Sequence, residues 1–147
     1  MPLSEEIKKR MEIVRAAVNN SPYYLHLGMA LVAFDEGKAR FEMTVKRHHT
    51  NIYGAAHGGA IASIADSACG LAVATRLVAG QSTVTLDLRV NYCASVKEGL
   101  LVAEGEVVYM GKTTAVETAK ITQNGNLVAF AVATHYIKQS APPIPNG

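Results

Sequence analysis

Apolar positions along the chain follow two different periods, and the boundary between the periods outlines the elements. Between Ser4 and Asn20, the residues Ile7, Met11, Ile13, Val14 and Ala17 recur at helical spacing, and Ser4-Glu5-Glu6 supplies an N-cap and acidic first-turn residues. This predicts an amphipathic helix over about residues 4–20. Ser21-Pro22 opens a short turn or helical piece through Leu25, and Gly28 opens a strand to about Phe34. Asp35-Glu36-Gly37-Lys38 reads as a hairpin turn. On the returning strand Ala39, Phe41, Met43 and Val45 alternate with Arg40, Glu42 and Thr44. His48–Ala56 reads as a polar loop. Residues 58–79 are predicted as a second helix, ended by Gly80-Gln81-Ser82. Period-2 alternation then fills Thr83–Ala94, Gly99–Met110, Thr113–Thr122 and Leu127–Ile137, with turns at 95–98, 111–112 and 124–126. No proline falls between residues 23 and 141, so long unbroken elements are allowed. If adjacent elements pair, the last four strands form a hairpin succession, and the fold is α+β, one antiparallel sheet with a long helix against one face.

The second helix departs from the usual amphipathic pattern. Gly58, Gly59, Ala60, Ala62, Ser63, Ala65, Ser67, Ala68, Gly70, Ala72 and Ala74 put small residues on every side, which predicts a helix enclosed by a curved sheet. Its three glycines each cost roughly 1 kcal/mol relative to Ala, so close approach to a sheet or ligand is the expected compensation. Asp66 stands among Ile64, Ala65, Ala68 and Cys69, where an ionised carboxylate is costly. One reading is structural, an exposed strip or a pairing with Arg76 or Arg89. The other, preferred here, is that Asp66 works as a general base.

Ahead of the helix, Asn51-x-x-Gly54-x-x-His57-Gly58-Gly59 places glycine N–H groups at a helix N-terminus, a cradle for a developing oxyanion. Asn51 adds an amide donor, and His57 is placed to hold the loop or contact substrate. Gly58 and Asp66 are separated by about 12 Å along one helix axis at the standard rise. A base and an oxyanion donor must flank one carbonyl within a few ångströms. If both serve one reaction, two antiparallel helices from two chains must meet, giving a two-fold dimer with sites at its interface.

Composition narrows the field. At 147 residues, 49% apolar and 18% charged, the chain suits one ordered domain over residues 1–140, with a flexible Pro-rich tail at 141–147 whose PxxP spacing carries little weight as a partner signal. A formal charge of +2 with scattered basic residues argues against nucleic-acid and membrane partners. Residues 54–79 are too polar, with His57, Asp66 and Arg76, for a membrane span. The N-terminus lacks a signal-peptide pattern, and Cys69 and Cys93 read as buried thiols, so a cytoplasmic location is expected. His48, His49 and His57 lack metal-ligand spacing, so no metal site is expected.

The Asn51-to-Gly59 motif, Asp66 nine positions after His57, the strand Thr85-Leu-Asp87-Leu-Arg-Val-Asn-Tyr and the turn Gly111-Lys112-Thr113 together resemble the hotdog-fold acyl-CoA thioesterases over about residues 25–138. Within them, the resemblance is to the phenylacetate-pathway (PaaI-type) and 4-hydroxybenzoyl-CoA branch. It implies a hotdog fold, a central helix wrapped by an antiparallel sheet with an added N-terminal helix, assembled as a homodimer or as a homotetramer of two dimers. It implies hydrolysis of an acyl- or aryl-CoA thioester, with coenzyme A as part of the substrate and no separate cofactor. By position, Asp66 corresponds to the general base or nucleophile, and Gly58 to the N–H that polarises the carbonyl. Asn51 lies beside that carbonyl, His57 opens the motif, and Thr85 orients water. Gly59, Tyr53, Ser67 and Lys112 are the expected substrate contacts, with Lys112 near the nucleotide, and Tyr23, Tyr24 and Leu71 are further candidates for the acyl pocket. Some relatives carry Ser or Thr where this chain has Gly70, which favours the Asp-type branch. The acyl group is not legible from one chain. Rival readings are a hotdog dehydratase or hydratase acting on 3-hydroxyacyl or enoyl thioesters, and a non-catalytic acyl-CoA-binding module.

Overall fold

The computed structural model describes residues 2–144; the last three positions of the expected 141–147 tail lie outside the described residues. Helix α1 spans Glu5–Asn19, with the Ser4 hydroxyl accepting from the Ile7 N–H at 3.3 Å, and α2 spans Pro22–Leu27, closed by Gly28 at φ 69°. Strands β1 (Met29–Asp35) and β2 (Lys38–Val45) form the first hairpin. A single 3₁₀ turn at Arg47–His49 leads through the loop to α3, Gly58–Ala74. Strands β3 (Ser82–Tyr92), β4 (Gly99–Met110), β5 (Thr114–Gln123) and β6 (Asn126–Lys138) complete one antiparallel sheet of six strands.

Strand order is β1-β2-β4-β5-β6-β3, which corrects the simple neighbour-pairing expectation. Strands β4, β5 and β6 do follow one another as hairpins, but β3 skips β4 and pairs with β6 at the far edge, while β2 pairs with β4. The crossover follows from the enclosed helix: α3 packs against all six strands, so the sheet must curl around it and bring β3 to its last open side.

On α3, Ile61, Ile64, Ala65, Ala68, Cys69, Ala72 and Val73 are all buried, and they meet Phe41, Met43, Leu101, Ala103, Ala119 and Ala131 of the sheet. The tightest approach is provided by a strand. A Cβ on Gly105 of β4 would overlap the Ala68 carbonyl, so this glycine lets the helix backbone settle on the sheet. The helix glycines instead face side chains of the site. A Cβ on Gly58 would stand 3.1 Å from the Tyr92 hydroxyl, and one on Gly70 would stand 3.1 Å from His135 Nε2.

Helix α3 stops at Ala74, short of the expected residue 79. Thr75, fully buried, donates to the Ala72 carbonyl at 2.7 Å and accepts from the Gly37 N–H at 2.7 Å, tying the helix end to the β1–β2 turn. A second correction concerns the thiols: Cys69 is buried, whereas Cys93 is exposed. Among the described residues no helix is long and apolar enough to cross a membrane.

Candidate active site

Four side chains from four elements converge near the middle of α3. Thr85 of β3 donates its hydroxyl to Asp66 Oδ1 at 2.9 Å and lies 3.1 Å from His135 Nε2 of β6. On its other side, His135 Nδ1 lies 2.8 Å from Glu117 Oε2 of β5. Strand register explains the convergence. Thr85 and His135 are direct cross-strand partners, Glu117 and His135 are diagonal neighbours, and a bulge immediately after Thr85 lets β3 change register before Asp87.

Burial rises steeply along this chain of contacts from Asp66 to Glu117. The Asp66 side chain is 38% exposed and its Oδ2 has no protein partner among the described residues, whereas Glu117 is fully buried with Oε1 unpaired. Burial pushes the Glu117 carboxyl above the ordinary carboxylate range; the bond and charge of His135 oppose that shift, and Asp66 adds to it. Burial likewise raises the neighbouring Cys69 thiol, with Glu117 and Asp66 adding to the effect. Asp66 pairs with neither Arg76 nor Arg89 among the described residues, so the structural alternative of an arginine pair does not hold.

Asp66, Thr85 and His135 open onto a cleft of about 530 Å³ whose apolar wall includes Val14, Val18, Tyr24, Leu71 and Leu77, with Ile144 of the tail beside them. Two hydroxyl pairs edge α3 nearby: Tyr24 with Ser67 at 3.3 Å, and Tyr23 with Ser63 at 2.5 Å. Ser67 also donates to the Ser63 carbonyl, and its own residue is buried. Burial raises the Tyr24 hydroxyl, partly offset by the Ser67 bond, with smaller raising effects from Asp66 and Tyr23.

At the N-terminus of α3 the expected residues are close together but engaged locally. Asn51 Oδ1 accepts from the Tyr53 N–H at 2.9 Å and the Ala55 N–H at 3.3 Å, an Asx turn that leaves its amide N–H₂ without a partner among the described residues. His57 is the N-cap: its Nδ1 accepts from the Gly59 N–H at 2.8 Å. The Tyr92 hydroxyl donates to the Gly58 carbonyl at 2.7 Å. Gly58 is the first residue of the helix, and its N–H has no acceptor among the described residues, as helix geometry allows. Tyr53 is 83% exposed, and Lys112 sits exposed in the β4–β5 turn, with no bond to the Asp66 cluster among the described residues. Of His48, His49 and His57, His49 is structural, bonded to the Lys46 N–H and the Leu27 carbonyl.

Sequence reasoning missed His135 and Glu117. Both sit at inward positions of their strands, Glu117 in register with Ala115, Ala119 and Ile121, and His135 with Ala131, Ala133 and Ile137. A charged or ionisable residue on an otherwise apolar inward phase was the available signal.

Residues 53–130 match the thioesterase superfamily. The chain is 32% identical over 116 residues to 1,4-dihydroxy-2-naphthoyl-CoA hydrolase of Listeria monocytogenes, covering 77% of this chain and 93% of that protein. It is 30% identical over 130 residues to human acyl-coenzyme A thioesterase 13, covering 86% and 92%. Among solved structures, the PaaI protein from the E. coli phenylacetic acid degradation operon superimposes with a TM-score of 0.82 at 26% identity, covering 91% of this chain and 96% of that one. With the family match over more than half of the chain, these relatives and the shared helix-wrapping sheet, the chain belongs to the thioesterase superfamily and has its hotdog fold.

Proposed function

We propose that the protein hydrolyses an acyl- or aryl-CoA thioester to the free acid and coenzyme A, with Asp66 as its catalytic carboxylate. The observation that carries this reading is Asp66 itself, set in an enclosed apolar helix, held at Oδ1 by Thr85, with Oδ2 left for a water at the mouth of an apolar cleft. In the reaction, Asp66 takes a proton from that water as its oxygen attacks the thioester carbonyl. The tetrahedral intermediate then expels the thiolate, which is protonated as coenzyme A leaves. Thr85 fixes the carboxylate's direction, and Tyr24, Leu71, Val14 and Val18 offer an acyl chain or ring an apolar wall.

Charge on the carbonyl oxygen would be met by the Gly58 N–H and the Asn51 amide, at the positive end of α3. Those groups are about 12 Å along the helix from the Asp66 of the same chain, so the complete site joins the Gly58 end of one chain to the Asp66 of another. Strand β3 supports such a pairing. It is an edge strand of 11 residues with Val84, Leu86 and Tyr92 exposed, the kind of edge that another strand covers. Beside Asn51, Lys46, Arg47 and Lys97 line a cleft together with one carboxylate, Glu98, giving the phosphates of coenzyme A an alternative to Lys112.

Thiol release from a panel of short, medium, long-chain, phenylacetyl and hydroxybenzoyl CoA esters tests the activity. Turnover by the wild type that is lost in Asp66→Ala supports it. A change in enoyl absorbance without thiol release would select a dehydratase, and tight binding without either would select a binding module. A single turnover in ¹⁸O-water tests the nucleophilic role of Asp66: label appearing in Asp66 requires an anhydride opened at the aspartyl carbon, whereas a base puts label in the product acid alone. Mixing Asp66→Ala chains with Gly58→Val chains tests the shared site. Random reassortment makes about half of the dimers mixed, each with one intact site, so about a quarter of wild-type activity returns if the site is shared and none returns if it is not.

A further inference from the structure

Glu117 lies one residue behind the groups that would touch substrate, and the proton count along the contacts defines what it does. Thr85 has a single hydroxyl proton, and that proton is donated to Asp66 Oδ1. The 3.1 Å contact between Thr85 Oγ1 and His135 Nε2 is therefore made by an Nε2–H pointing at the threonine oxygen. With Nε2 protonated, Nδ1 is either an acceptor, which requires a proton on Glu117, or part of an imidazolium facing an ionised Glu117.

The surroundings of Glu117 decide between these. The residue is fully buried, and Oε1 has no partner among the described residues, so an ionised carboxylate would leave half its charge unmatched in an apolar wall. A carboxylic acid with its proton on Oε2 satisfies His135 Nδ1 and leaves Oε1 as one neutral carbonyl. Ionisable groups packed around it are His135 from β6 and Asp66 and Cys69 from α3, while its cross-strand partners Val107 of β4 and Ala133 of β6 carry no charge. A second carboxylate charge here would add repulsion with Asp66. The raised affinity of Glu117 for its proton is in keeping with this.

We propose that Glu117 is a positioning residue held as a neutral acid. By donating to His135 Nδ1 it fixes the Nε2–H tautomer, and that tautomer in turn points the Thr85 hydroxyl at Asp66. Gly70 is part of the arrangement, because a side chain there would press on His135 Nε2. The inference rests on Asp66 as the catalytic carboxylate only for its effect on turnover; the tautomer itself does not depend on that reading.

The experiment is ¹⁵N NMR of histidine-labelled wild-type protein near neutral pH, with the His135 signals assigned by their loss in His135→Gln. A neutral ring with bare Nδ1 and protonated Nε2 is expected. A neutral Nδ1–H ring, or a ring protonated at both nitrogens, overturns the proposal. The wild-type spectrum is readable whether or not any variant folds and whether or not thioesters are hydrolysed, so failure of the thioesterase reading and failure of this one are distinguishable. On the best thioester substrate, Glu117→Gln, whose amide N–H can replace the acid proton, is expected to keep kcat within about threefold. Glu117→Ala is expected to lower kcat about tenfold at unchanged KM. Tenfold loss in the Gln variant, or wild-type kcat in the Ala variant, would each overturn the positioning role.

Discussion

The two ends of the proposed chemistry, the N-terminus of α3 and its middle, are built in opposite ways. Around Asn51–Gly59 most bonds are short-range: Asn51 holds Tyr53 and Ala55, and His57 caps Gly59, with two distant contributors, Tyr92 and the Val96 carbonyl that accepts from the Ala56 N–H at 2.6 Å. The loop is well tied yet unroofed, with Ile52 90% and Tyr53 83% exposed. Around Asp66 the bonds are long-range, linking α3 to β3, β6 and β5, and they run into the core. One chain therefore holds the carboxylate half of the proposed site by itself. The carbonyl-polarising half is shaped but faces outward, as expected of a surface that a second chain covers.

Asp66 gives the largest expected effect. Replacing it with Ala should lower kcat by about 10³-fold or more, within the span attributed to a positioned acid or base, while circular dichroism and assembly stay as in the wild type. Asp66→Asn, matched in size, should still bind a non-hydrolysable acyl-CoA ether. Hydrolysis near the wild-type rate by either variant would remove the carboxylate half from the comparison.

Asn51→Asp sharpens the other half. Aspartate keeps the oxygen that accepts from Tyr53 and Ala55, so the loop should hold, but it replaces the amide donor with a charge that repels an oxyanion. A loss of about 100-fold in kcat with an unchanged melting temperature assigns Asn51 to the carbonyl. Unchanged turnover would leave Asn51 as a turn residue and nothing more. Thr85→Val is expected to cost less, about tenfold in kcat, because it removes a bond to Asp66 while leaving the carboxylate in place. Its counterpart in the loop is His57, which binds only the local backbone and should move stability before turnover.

What the sequence made legible divides along the same line. Small residues on all sides of residues 58–74 announced an enclosed helix, and Asp66 stood out because no apolar helix carries a carboxylate without cost. The loop motif was equally readable, since its residues meet through contacts two to four positions apart. Pairing of β3 with β6 was not readable, because alternation identifies strands and their inward faces but not their neighbours. His135 and Glu117 come together only through that pairing and the β5–β6 register, 18 residues apart in the chain, although each already broke an apolar inward phase. The helix end at Ala74 likewise depended on Thr75 meeting Gly37 across the fold.

The smallest expected effect concerns stability, and it separates the buried end of the Asp66 cluster from the exposed loop. Native Glu117 holds its proton above the ordinary carboxylate range because it is buried, whereas in the unfolded chain it titrates in that range. Between the two values the native state binds more protons than the unfolded state, so this group's contribution to stability is intact below the unfolded value. It declines as pH rises, then levels off above the native value. The decline is about 1.4 kcal/mol for each unit separating the two. Glu117→Gln has no proton to lose, so its stability relative to the wild type should climb through that same window and then stay constant. Urea unfolding of both proteins at one protein concentration, stepped from about pH 4 to about pH 8, reads the difference directly. A difference that does not change with pH would mean that Glu117 is ionised at ordinary values in the folded protein. The unpaired Oε1 would then mark a buried charge rather than a neutral acid.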